Sequence, residues 1–159
     1  MHRSDNFYAE QLLLMTAIKT NGEPDPERMI DTLLDHELKN LPTKSRWVDG
    51  SGLSRFNLCS PANLVEVMNR TIRDFGKERL KALLPTGGEG TLKNLLQEDR
   101  GFIFAKTGSL SSIICLSGLV ETQKGRTFLF SILVNNYTGD ASSLKKKIAD
   151  FIHAMRAKN

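Results

Sequence analysis

Apolar residues recur at helical spacing through the first two thirds of the chain and in near-continuous runs through the last third. Phe7, Leu12, Leu13, Leu14, Met15 and Ile18 predict a helix over residues 5–20 that stops at Asn21-Gly22, a helix-ending pair. Pro24-Asp25-Pro26 opens a second helix, with Met29, Ile30, Leu33, Leu34 and Leu38 on its apolar side. The stretch WVDGSGLSRFNLCS then carries turn chemistry, rich in Asp, Gly, Ser and Asn. Ser60-Pro61 starts a third helix, because Ser caps and Pro is tolerated in a first turn. Its apolar positions are Leu64, Val65, Met68, Ile72 and Phe75. A short Leu-rich segment (78–84), the flexible run PTGGEG and Leu92–Leu96 complete the helical part.

From residue 101 the period changes. Residues 102–106, 113–121 and 127–136 read as strands, the last two joined by Gln123-Lys124-Gly125-Arg126, a hairpin turn containing Gly. The strands are almost unbroken in apolar residues, so the sheet is expected to be covered on both faces. A final helix sets Leu144, Ile148, Phe151, Ile152 and Met155 on one stripe, suited to one of those faces. The expected class is α+β: a helical lobe, then an antiparallel sheet of about three strands backed by a C-terminal helix.

Composition narrows the options. With 159 residues, 40% hydrophobic and 25% charged, the chain is one domain's worth of ordinary globular material. The formal charge of +4 is mild and its lysines are scattered; Lys145-Lys146-Lys147 reads as a solvated helix face. Aromatic and basic residues are not interleaved, which argues against a nucleic-acid surface. No run is long enough for a transmembrane segment and no secretion signal precedes residue 4. Cys59 and Cys115 stand apart; Cys115, inside an apolar run, is expected as an inert buried thiol, and a pairing of the two stays open. His2, His36 and His153 form no ligand spacing, so neither a metal nor a cofactor is expected.

Two short stretches carry candidate chemistry. Ser4-Asp5-Asn6 abuts the first helix, where all three residue types serve as caps and where the same side chains could face a ligand. Lys106-Thr107-Gly108-Ser109 ends a strand: a cation, hydroxyls and a bare glycine together make a carboxylate-docking edge. Set beside PTGGEGT, whose spacing lacks the Gly-Lys-Ser/Thr ending of a phosphate loop, this edge is the stronger signal.

Ser4-x-Asn6 and Lys106-Thr107-Gly108 resemble two of the three motifs of penicillin-binding proteins and serine β-lactamases. Asp49-Gly50-Ser51-Gly52-Leu53-Ser54-Arg55, Gly90-Thr91-Leu92 and the Lys-Thr-Gly-Ser strand narrow the resemblance. They resemble the class C low-molecular-mass penicillin-binding proteins, D-alanyl-D-alanine carboxypeptidases/endopeptidases that trim peptidoglycan. The resemblance implies a partial penicillin-binding/β-lactamase-like transpeptidase fold and acyl transfer through a serine nucleophile. It implies that Ser4 relays a proton to the departing amine and that Asn6 holds the substrate amide. Lys106 would supply positive charge, Thr107 and Ser109 hydroxyls for the substrate carboxylate, and Gly108 a bare edge. The Ser109 N–H would form half of an oxyanion hole. Arg55 resembles the arginine that binds the free end of a stem-peptide side chain; a loop-stabilising surface arginine is the other reading.

The third motif of that family, Ser-x-x-Lys, is absent ahead of Ser4. Ser142–Lys145 and Ser143–Lys146 match it only at the start of the last helix, where Ser reads as a cap and Lys as solvated. Residues 1–159 are therefore expected to be the C-terminal part of such a domain, inactive alone. The implied partners are stem peptides ending in D-Ala-D-Ala, and β-lactams once a nucleophile-bearing segment is present. A non-catalytic stem-peptide-binding module is the alternative. The resemblance further implies a periplasmic or envelope location, and an open sheet edge would favour homo-oligomers.

Overall fold

The computed structural model describes residues 1–159. The elements in order are α1 (Asn6–Asn21), α2 (Pro26–Asp35), α3 (Pro61–Phe75), α4 (Lys77–Leu83), β1 (Ile103–Leu110), β2 (Ile113–Glu121), β3 (Thr127–Asn135) and α5 (Ala141–Lys158). Short 3₁₀ turns at Gly90–Leu92 and Gln97–Asp99 precede the sheet. The class is α+β, as the periodicities require. The chain divides into two compact units, Ser4–Asn63 and a second formed by Met1–Arg3 with Leu64–Asn159.

In the Ser4–Asn63 unit, α1 and α2 pack through Leu13, Ala17, Met29 and Ile30, with Leu33, Leu34 and Trp47 around them. Asp25 caps α2 by accepting from the Arg28 N–H at 3.0 Å, ahead of Pro26 in the first turn. The helix ends at Asp35, so Leu38 lies beyond it; the Leu38 N–H instead closes a turn onto the Leu33 carbonyl. Apolar residues are spread around α1, and only Leu13 and Ala17 are buried while Phe7, Leu12, Met15 and Ile18 stay exposed. Asn63 ties the end of this unit. Its side chain, 2% exposed, accepts from the Thr43 N–H (3.0 Å) and donates to the Thr43 carbonyl (2.9 Å) and Ser45 Oγ (2.6 Å). Ser60 caps α3 as its sequence context predicts, its hydroxyl accepting from the Asn63 N–H at 3.2 Å.

The second unit is built on an antiparallel sheet of order β1-β2-β3. Thr107 pairs with Leu116 and Ser109 with Ile114; Leu116 pairs onward with Ile132. One face, bearing Ile103, Ala105, Ile114 and Leu116, packs on Ile148, Ala149 and Ile152 of α5. The other face, with Leu119, Phe104 and Leu129, packs on Met68 of α3 and on Leu80 and Leu84. Both faces are covered, which explains the unbroken apolar runs. The stripe of α5 is narrower than its sequence implies, since Phe151 is exposed, as is Phe75 at the end of α3. The outer edge of β3 has no neighbouring strand.

Asp140, not Ser142 or Ser143, caps α5, accepting from the Ser143 N–H at 2.6 Å. A carboxylate one residue before the helix is the stronger acceptor for the positive helix end. Further along α5, buried Asp99 lies 2.9 Å from His153 Nδ1 and accepts from Arg156 Nη1 at 3.2 Å. Arg156 also stacks over the Phe102 ring, 4.1 Å from its centre.

Candidate active site

The N-terminal motif sits on the tip of α1. Asp5 is the cap: its extended backbone (φ −80°) lets the carboxylate accept from the Tyr8 N–H at 2.9 Å. Of the three candidate residues, Asp5 supplies the cap expected of this stretch. Ser4 holds φ at +52°, a left-handed conformation uncommon for a serine, and both Ser4 and Asn6 are exposed. Asn6 is the first helical residue, so its side chain issues from a fixed backbone.

One turn along α1, Glu10 reaches the loop that carries Arg55. Its carboxylate accepts from the Gly50 N–H (3.1 Å) and the Ser51 N–H (2.9 Å). Bonding to Ser51 holds the Glu10 carboxyl below its ordinary pKa. A Cβ on Gly50 would stand 2.8 Å from the Ala9 carbonyl oxygen, so only glycine allows this approach. Asp49 then organises the loop from within, accepting from the Ser54 N–H (2.7 Å), the Gly52 N–H (2.5 Å) and Asn57 Nδ2 (3.0 Å). Asn57 closes it by accepting from the Val48 N–H at 2.9 Å. The exposed Arg55 thus stands on a braced loop fastened to the same helix tip that bears Ser4 and Asn6. Sequence reading missed Glu10, whose only signal was an acid one helical turn after Asn6.

The second motif lies in the other unit, within β1. The strand runs through Leu110, so Thr107, Gly108 and Ser109 are strand residues and not a turn exit after Lys106. β1 is an edge strand whose outer rim is occupied only near its start, where the Ala105 N–H donates to the Pro85 carbonyl at 3.0 Å and Thr86 bridges Phe104. Alternation then turns the N–H groups of Thr107 and Ser109 outward, away from β2. Lys106 is half-buried, and burial pushes its ammonium below the ordinary lysine pKa. Its Nζ donates to the Thr107 carbonyl at 2.5 Å on that rim. A Cβ on Gly108 would meet the Cys115 Cβ at 3.2 Å, so the bare glycine also serves close cross-strand packing.

Ser4, Asn6 and Arg55 are thus gathered on one unit and Lys106, Thr107, Gly108 and Ser109 on the other. Cys59 is exposed and Cys115 half-buried, and no disulfide joins the two. No group of three or more His, Cys, Asp or Glu side chains is arranged to hold a metal ion. No helix is long and apolar enough to cross a membrane.

The family model described as D-Ala-D-Ala carboxypeptidase 3 (S13) matches residues 1–157. Among curated relatives, D-alanyl-D-alanine carboxypeptidase DacB of Haemophilus influenzae is 28% identical over 92% of this chain and 33% of its own. Carboxypeptidase DacB of Mycolicibacterium smegmatis is 32% identical over 86% of this chain and 32% of its own. The chain spans about a third of the length of these relatives. The crystal structure of penicillin binding protein 4 from Haemophilus influenzae superimposes with a TM-score of 0.81 at 26% identity, over 98% of this chain and 38% of that one. With its motifs on a helix tip and a strand rim, and nearly its whole length matched, the chain belongs to the D-Ala-D-Ala carboxypeptidase 3 (S13) family.

Proposed function

We propose that the chain contributes the Ser-x-Asn and Lys-Thr-Gly parts of a serine-type D-alanyl-D-alanine carboxypeptidase/endopeptidase that acts on peptidoglycan stem peptides. The observation that carries the reading is the rim of β1. There a half-buried lysine with a depressed pKa stands beside outward-facing N–H groups of Thr107 and Ser109. An ammonium of that kind favours proton transfer and attracts a carboxylate, and the Ser109 N–H is suited to a developing oxyanion, a contribution of about 3 kcal/mol per donor. In this reading Ser4 relays the proton to the departing D-alanine, Asn6 holds the substrate amide, and Thr107 and Ser109 engage its carboxylate. Gly108 leaves the rim bare. Arg55, held out by the Glu10-fastened loop, takes the charged end of the stem-peptide side chain.

The nucleophile of this reading is supplied by a segment outside the 159 residues. The two Ser-x-x-Lys matches fall in the first turn of α5, capped by Asp140, with Ser142 and Ser143 exposed. Stem peptides place the working protein in the cell envelope, and copies would pair through the outer rim of β3, with light scattering as the readout.

Intact-mass spectrometry with benzylpenicillin tests the proposal. The chain alone should stay unmodified. Joined to the remainder of the Haemophilus influenzae relative, it should give one adduct per molecule, formed on the order of 100-fold more slowly after Lys106→Ala. A stoichiometric adduct on the chain alone, or an indifferent Lys106→Ala, would overturn the reading.

A further inference from the structure

The loop that carries Arg55 is ordered mainly by its own bonds. At its base the Arg46 N–H donates to the Leu58 carbonyl at 2.8 Å, and the Leu58 N–H to the Arg46 carbonyl at 2.7 Å. Trp47 Nε1 donates to the Asp49 carbonyl at 2.5 Å, and Trp47 packs on the α1–α2 cluster. The Arg46 guanidinium lies over the Phe56 ring, 5.0 Å from its centre. Asp49 and Asn57 complete the interior, so residues 46–58 form a small body held to itself.

The outer part of that body meets α1 through Glu10. Both carboxylate oxygens are engaged, Oε2 by the Gly50 N–H and Oε1 by the Ser51 N–H. A carboxylate that accepts two successive N–H groups is a charge-assisted joint of two points, which fixes direction as well as distance. Beside it the bare Cα of Gly50 lies against the Ala9 carbonyl. Glu10 and Asn6 are four residues apart on α1 and share one face of the helix. Since the loop is already closed by its own bonds, the Glu10 bonds decide where the loop sits and not whether it forms.

We propose that Glu10 is a positioning residue that sets the span between Asn6 and Arg55, so that the site selects ligands whose charged end lies at a matching distance from the amide. The proposal rests on the function proposed above, in which Asn6 holds the amide and Arg55 takes the charged end. Glu10 acts on the ligand only through these two residues.

Acylation by two penicillins tests this, in the chain joined to the remainder of the Haemophilus influenzae relative. Benzylpenicillin has an uncharged side chain and reports the machinery around Asn6. Penicillin N, whose side chain ends in an α-amino carboxylate, should engage Arg55 as well. Glu10→Gln keeps the length of the side chain but sets its amide nitrogen against one loop N–H, donor against donor. It should lower the ratio of the penicillin N rate to the benzylpenicillin rate about 5- to 10-fold. Gly50→Ala, which forces the loop off Ala9 without a change of charge, should lower the same ratio. Added to Arg55→Ala, Glu10→Gln should lower it no further.

Amide exchange in the 159-residue chain reads the joint without catalysis. In Glu10→Gln it should rise at Gly50 and Ser51 and stay unchanged at Gly52 and Ser54, which Asp49 holds. A glutamate that merely stabilised the fold would slow both penicillins alike, and its loss would add to that of Arg55. Either result, or exchange rising through the whole loop, would overturn the proposal. A ratio indifferent to Arg55→Ala would discard the role of Arg55 and the proposal with it. No adduct from the unaltered joined protein would instead bring down the proposed function itself.

Discussion

Four side chains, Leu13, Ala17, Met29 and Ile30, make up the buried apolar cluster of the Ser4–Asn63 unit, whereas the α5 face of the sheet alone buries eleven. The smaller unit compensates with polar fastenings. Asn63 clamps Thr43 and Ser45, Asp49 organises its own loop, and Glu10 binds that loop to α1. The sheet unit has fastenings of its own, Lys77 and Lys81 on Glu121 and His153 and Arg156 on Asp99, but its ladder satisfies the backbone and both its faces are covered. The contrast shows two ways of holding a functional edge still. A strand rim is rigid because it belongs to a packed sheet; a loop is rigid only as far as its hydrogen bonds are complete.

Deleting side-chain volume should separate the two regions most clearly. Leu119→Ala removes a completely buried leucine from the sheet core and should cost about 3 kcal/mol in denaturant unfolding. Leu13→Ala, in a cluster of four, should cost less, about 2 kcal/mol. Equal losses would mean that the small cluster is as tightly packed as the large one. Asn63→Ala should then show the opposite ranking of polar contacts. It removes the buried side chain that holds the Thr43 N–H and carbonyl and should cost about 2 kcal/mol, with amide exchange rising at residues 43–45. A neutral outcome would show that the unit does not depend on that clamp.

The smallest effect is a pH dependence in the sheet unit. The Asp99 carboxylate beside it raises the His153 pKa, Glu98 adds to this, and Arg156 opposes it. A histidine with a raised folded-state pKa stabilises the fold fully below its unfolded value near 6.5, and that stabilisation fades as pH rises through the higher folded value. The melting temperature should therefore fall slightly between pH 6 and pH 8, and His153→Ala should flatten the profile. His153 is largely exposed, which keeps the effect small. An unchanged slope in the variant would remove the Asp99–His153 pair from the stability of this unit.

Much of the fold was legible because periodicity reports burial. The three strands, the helix that backs them and the Ser60-Pro61 start of α3 follow directly from spacing and capping chemistry. What escaped was set by partners distant in sequence. Leu12, Met15 and Phe151 have the residue type of a core but not its position, and no local pattern distinguishes the two. Asp5 prevailed over Ser4, and Asp140 over Ser142, because a carboxylate is the better acceptor at the helix end. The motif residues of β1 could be picked out from the chain, yet the half-burial of Lys106 and Lys145 could not, since it depends on what packs beside them. Glu10 pairs with residues 40 positions away, a relation without any periodic signature.

That carboxylate has a mechanical meaning. Because Glu10 grips two successive N–H groups of the Arg55 loop from a point one turn below Asn6, the loop and the helix tip form a single lever. A pull on the guanidinium is transmitted to the asparagine through one side chain. Under the proposed function, the grip of Arg55 on a ligand's far end and the alignment of its amide by Asn6 would thereby be coupled through Glu10.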